Sequence, residues 1–162
     1  MAFDADDAFC AITDVESRVG RGSFGASTVP TNQQVLDFMA MRAQEIQAAI
    51  LRGGATYTVA NGSNAFGSPT DTAVIALKLM CQDANALAAA ADAINARDVR
   101  DNPEANTVAG DYFAQYLRLI GSEDEMGQIE QHIKAEVLTS RASVYIVPTT
   151  TDFPWFDMDT QW

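Results

Sequence analysis

Along much of this chain apolar residues recur at steps of three, four and seven, the spacing of helices that pack one face and wet the other. The stretch TVPTNQQVLDFMAMRAQEIQAAILRGG, residues 28–54, carries the pattern most cleanly. Thr31 is placed as an N-cap with Gln34 three residues on, so hydroxyl and carboxamide can each satisfy a free backbone N–H. Val35, Phe38, Met39, Ile46, Ala49 and Ile50 form the apolar stripe, and Gly53 and Gly54 end the helix. Gln33, Asp37, Gln44 and Gln47 lie off the stripe. A shorter helix is expected in TDVESRVG, where Thr13 and Glu16 make another capping box, Val15 and Val19 share a face, and Gly20 stops the turn.

Further on, ATYTVANGSNAFGS reads as a connector in which Asn61-Gly62 suits a type I′ hairpin turn. Ser68-Pro69 then opens the longest helix, running to about Ala96 and roughly 40 Å long. Its apolar positions, Val74, Leu77, Leu79, Met80, Leu87, Ala88, Ala91 and Ile94, wrap widely. A helix so rich in alanine is expected to be buried on more than one side. RDVRDNPEANT interrupts the pattern and VAGDYFAQYLRLIG resumes it, with Tyr112, Phe113, Tyr116, Leu117 and Ile120 as the packing face. Ser122 and Glu125 form a third box at the start of a last helix that packs Met126, Ile129, Ile133, Val137 and Leu138. After Ser140 the segment RASVYIVPTTTDFPWFDMDTQW turns to β-branched residues and then to prolines, which suits an extended arm. The expected fold class is therefore all-α: a small helical bundle with a long central Ala-rich helix, residues 1–141, and an extended C-terminal arm, residues 142–162.

The chain has 162 residues and 48% hydrophobic composition, enough for a single domain with a real core. No stretch reads as a membrane span, and the acidic opening MAFDADDAFC is unlike a signal peptide, so a cytoplasmic product is expected. Residues 1–12, acidic and aromatic, are expected to pack loosely or to dock on a neighbour. The net charge of −12, with ten basic residues scattered singly, disfavours tight nucleic-acid binding. It either keeps the protein soluble or lets DNA slide past without sticking.

Candidate chemistry is sparse. The glycines of GRGSFGASTVP follow neither P-loop nor dinucleotide spacing. Cys10 and Cys81 belong to no CxxC and read as buried thiols, while the single His132 reads as solvated or at the edge of the core. Glu123 and Asp124 complement a helix N-terminus. DADDAF lacks the glycine and distal glutamate of a calcium loop. Met39, Met41 and Met80 read as fillers of core gaps. No catalytic residue, cofactor or metal site is expected.

The arm is different. Phe153, Trp155, Phe156 and Trp162 stand close together on a proline-stiffened terminus. They either fold back on the parent domain or dock on another subunit or protein. Large aromatics are common interface anchors, and ASVYIV suits pairing with a partner's strand edge. The interface residues expected on this basis are Val144, Tyr145, Ile146, Phe153, Trp155, Phe156 and Trp162.

The sequence TDVESRVGRG, a Gly/Ser loop, TVPTNQQVLDFMAMRAQEIQAAILRGGATYTV, a long Ala-rich helix and DYFAQYLRLIG, in that order, resembles the head–tail connector (adaptor) proteins of tailed bacteriophages over about residues 12–121. The similarity lies in order, spacing and character, including the glycine and aromatic, Gly54 and Tyr57, that follow the second helix. It implies a non-enzymatic virion protein, made in the host cytoplasm, that assembles as a homo-oligomeric ring, usually a dodecamer, beneath the portal protein. Such a ring extends the channel for genomic DNA, which passes without specific binding, and offers a platform to the next neck or tail component, with no role for a membrane. In relatives the C-terminal segment commonly reaches the portal, a role that would fall here on residues 142–162. The Asp-rich aromatic ending departs from the family pattern. A small DNA-packaging or regulatory helical module, like a terminase small subunit, is the alternative, although it needs a basic recognition helix that the sequence does not display.

Overall fold

The computed structural model describes residues 7–20, 22–55, 72–97, 103–122 and 124–144. They form five helices: α1 (Ile12–Val19), α2 (Asn32–Gly53), α3 (Thr72–Ala96), α4 (Pro103–Ile120) and α5 (Gln128–Val144). Among the described residues the one β-type contact is an isolated bridge between Gly121 and Met126. The all-α bundle around a long Ala-rich helix is what the periodicity predicts. The Asn61-Gly62 turn and the Ser68-Pro69 helix start lie outside the described residues.

The axis of the bundle is α3, which packs against all four other helices. Eight consecutive residues, Ala84 to Ala91, are buried, so in this stretch the helix has no wet face. Alanine permits this because its side chain ends at Cβ and neighbouring backbones can come close. By length and composition α3 could cross a membrane, contrary to the sequence expectation, but half of its apolar window is covered by the rest of the fold. The uncovered part lies toward its N-terminal half, where Ile75 and Leu79 are exposed.

On α2 the cap forms as expected. Thr31 Oγ1 accepts the Gln34 N–H at 3.3 Å, and Gln34 Oε1 accepts the Thr31 N–H at 2.9 Å. Val35, Met39, Ile46, Ala49 and Ile50 are buried, with Ala40 and Ala43 filling the stripe between them. Met41 faces outward, 43% exposed, instead of filling the core. Gly53 is the last helical residue and Gly54, at a φ of 92°, caps the helix, as expected. A Cβ on Gly53 would stand 2.8 Å from Ile133, so its bare backbone is what seats α5 against α2.

Two other expected caps are used differently. The first helix begins at Ile12, two residues before the Thr13–Glu16 box would start it, because Asp14 reaches back to accept the Ala11 N–H at 3.0 Å. Glu16 is spent on the following loop, where Oε1 accepts the Phe24 N–H at 2.9 Å. Ser122 does meet the Glu125 N–H, at 3.2 Å, but the Ser122 N–H also donates to the Glu125 carbonyl at 2.9 Å. Together these close a tight turn, and α5 begins only afterwards. The turn depends on two glycines pressed together: a Cβ on Gly121 would stand 2.4 Å from the Glu125 carbonyl oxygen, and one on Gly127 2.3 Å from Gly121 N.

Pro103 opens α4, five residues before the resumed pattern at Val108 suggests, which fits proline at the first helical position. Its packing face is Ala109, Tyr116 and Ile120, with Tyr112 and Leu119 half-buried. Phe113 and Leu117, expected on that face, are turned outward.

The N-terminal segment also departs from expectation. Ala8, Phe9 and Cys10 are buried, not loosely packed. Phe9 joins the core cluster of Ile46, Leu87 and Tyr116, while Ala8 and Cys10 join that of Val15, Val35 and Met39. Asn85 of α3 holds this strap. Its Oδ1 accepts the N–H groups of Phe9 at 2.8 Å and Cys10 at 3.3 Å, and its Nδ2 donates to the Met39 carbonyl at 2.9 Å. A buried carboxamide is stable only when so paired.

Candidate functional site

A concave surface lies where the C-terminal ends of α2 and α4 meet the start of α5. It is an open groove of about 770 Å³ with Ala48 and Ile120 in its lining, Glu45, Arg52 and Glu130 on its walls, and Met126 46% exposed on the α4–α5 turn. Arg52 comes from the last turn of α2 and donates to the Ile120 carbonyl at 3.0 Å, supplying a partner to the unpaired end of α4. It also pairs with Glu130 at 3.4 Å. Lys134, one turn further along α5, holds the other oxygen of that carboxylate at 2.6 Å. The Lys134 ammonium, and then Arg52, hold the Glu130 carboxyl below the usual glutamate range even though burial works against them.

Beyond the groove an ion-paired network joins α2, α3 and α4. Arg42 grips Asp92 with two bonds, Nε to Oδ2 at 2.8 Å and a terminal nitrogen to Oδ1 at 3.0 Å. Its remaining terminal nitrogen reaches Glu45 at 3.0 Å. The guanidinium lies 5.3 Å from the Phe113 ring centre and 5.8 Å from that of Tyr116, within cation–π range of both. The Tyr116 hydroxyl donates to Glu45. The Asp92 bond raises the guanidinium pKa and burial raises that of the phenol, so Arg42 stays charged and Tyr116 neutral. Phe113 is thus a partner of Arg42 on the outer face of α4.

Chemically these surfaces offer shape and fixed charge. Glu45 and Glu130 are already engaged by cations, and no group of three or more His, Cys, Asp or Glu side chains with metal-binding placement occurs among the described residues. His132 sits at the core edge, its Nε2 donating to the Ala73 carbonyl at 2.9 Å, which ties α5 to the start of α3. Cys10 and Cys81 are buried free thiols, each pushed up to about 12 by burial. On the polar flank of α2, Gln33 and Gln44 are exposed, with Gln33 Nε2 donating to Asp37 at 2.9 Å.

Of the interface residues expected from the sequence, Val144 is the last residue of α5. Residues 142–144 are therefore helical where an extended arm was expected. A helix already nucleated adds residues at little cost, and Ala142 is a strong helix former. Tyr145, Ile146, Phe153, Trp155, Phe156 and Trp162 lie outside the described residues. Arg42 and Asn85 were not singled out by the sequence reading. The available signal was a lone amide in the run ANALAAAADA, a polar group surrounded by residues that could only be core. No family model, no curated protein and no solved structure matches this chain.

Proposed function

We propose that this chain is a structural adaptor of a tailed-phage neck, a subunit that assembles with copies of itself into a ring beneath the portal and extends the DNA channel. The observation that carries the reading is the order and character of the helices. A short α1 and a Gly/Ser loop precede an α2 capped by Thr31 and closed at Gly54, and an Ala-rich α3 enclosed by the others leads into α4. This is the layout that the resemblance to connector proteins implies. Two further features support it. The net charge of −12 suits a wall that DNA slides past, because repulsion prevents sticking. On the α2–α4–α5 face Arg52 is paired with Glu130, and Glu45 with Arg42 and Tyr116, which suits a surface that holds shape for a neighbour.

In this reading the arm docks on the portal through Phe153, Trp155, Phe156 and Trp162, and the opposite side of the ring receives the next neck component. Electron microscopy of virions tests it directly: one ring of this protein is expected under the portal, and virions lacking such a ring would overturn the proposal. Deleting residues 151–162 is expected to leave helicity by circular dichroism unchanged and to abolish attachment to portals. Normal attachment of the shortened chain would remove the arm from that role.

A further inference from the structure

We infer that the N-terminal strap and α1 are an exchangeable ligand for a groove on α3, and that in the assembled oligomer the strap of one copy seats in the groove of the next. The setting of this inference is the oligomer proposed above. Residues 8–10 bend across α3, with Phe9 in one core cluster and Ala8 and Cys10 in the other. Recognition is through the main chain: Asn85 Oδ1 takes two successive backbone N–H groups, at 2.8 and 3.3 Å. Any copy of the chain offers the same two donors followed by the same helix. That helix is clasped on the same side, where Arg18 pairs with Asp83 of α3 and its carbonyl accepts the Tyr112 hydroxyl of α4 at 3.2 Å.

The contacts also locate the hinge. Phe24 travels with the strap unit, because its N–H is held by Glu16 and its ring is buried with Val15. The next residues, Gly25 to Val29, are bonded among themselves and to the start of α2: the Gly25 N–H donates to Thr28 Oγ1 at 2.9 Å and the Asn32 N–H to the Gly25 carbonyl at 3.2 Å. Ala26, Ser27 and Val29 are exposed, and open space surrounds the place where a side chain on Gly25 would stand. Once these turn bonds open, five extended residues reach roughly 17 Å, beyond the roughly 10–12 Å diameter of a helix. The hinge can therefore lead into a copy packed directly alongside. Exchange preserves every groove contact, because an identical element replaces its own copy.

The test uses the full chain carrying Thr13→Cys, an exposed position on α1, with a nitroxide attached. Cys10 and Cys81 are buried and do not compete for the reagent. This chain is refolded together with a nitroxide-free copy that carries isotope-labelled alanine methyls, under conditions of assembly. Exchange predicts loss of the Ala86, Ala89 and Ala90 methyl signals in the nitroxide-free copy, matching the loss that a nitroxide causes within its own monomer. Assembled oligomers that keep those signals at full intensity overturn the exchange and leave the ring reading standing. A chain that never assembles in solution also overturns the exchange, while the ring on the portal is still judged from virion images.

Discussion

Asn85 is one of two polar or charged side chains buried among the described residues, and its three bonds join the strap, α3 and α2. Replacing it by leucine keeps much of the volume and strands the backbone donors of Phe9 and Cys10. The expected loss is roughly 2–4 kcal/mol in urea unfolding, from leaving two buried donors unsatisfied, with faster hydrogen exchange at those two amides. An unchanged unfolding midpoint would show that the strap is held by apolar burial alone. This residue also marks how far local reading reaches. Thr31 with Gln34 and Thr13 with Glu16 are the same motif, yet only the first caps a helix. The second loses because Asp14 begins the helix earlier and Phe24, a residue of the next loop, claims Glu16. Phe113 and Leu117 fit a packing period, but Arg42, fifty residues from its partner Asp92 on α3, decides where Phe113 lies. Motifs closed within four residues were legible; those settled by a distant partner were not.

Among the elements, the α4–α5 turn carries the sharpest constraint. Gly127→Ala places a methyl 2.3 Å from backbone atoms that no rotamer can move aside. It is expected to cost more than about 2 kcal/mol, as strain at a backbone clash does. Gly22→Ala, where nothing lies within 4 Å, serves as the control and should stay within about 0.5 kcal/mol of the parent. Thermal unfolding of the two variants side by side checks both values. The start of α5 also has a pH dependence with a definite sign. Glu130 is held below its ordinary value of 4.5 by Lys134 and Arg52, so its folded form binds its proton less readily than the unfolded form. Its contribution is therefore complete above pH 4.5 and is lost as pH falls through the lower, folded value. Glu130→Gln should be the less stable chain at neutral pH and should show a shallower loss of stability on acidification. Parallel acid limbs in the two chains would place the pH dependence elsewhere.

For the molecule as a whole, the fold class was legible because periodicity over long helices is a redundant signal. One misread cap moves a boundary and leaves the bundle intact. The candidate interface had no such redundancy. It was legible as composition alone, four aromatics near the end of the chain, and composition names no partner and no position in the fold. The molecule-wide charge of −12 makes its own prediction. Gel-shift titration with duplex DNA at physiological salt should give no retarded band. A submicromolar, salt-dependent affinity would favour a DNA-packaging module instead.

The eight-residue buried run of α3 bears on mechanics as well as on packing. Six of its residues, Ala84, Ala86 and Ala88 to Ala91, have no side-chain rotamer to change. A shaft enclosed by four helices and lined this way has few internal degrees of freedom into which stress can dissipate, and tightly packed interiors transmit strain. A load on one end of this buried run is then delivered to its other end by a rigid strut, and compliance is left to the loops.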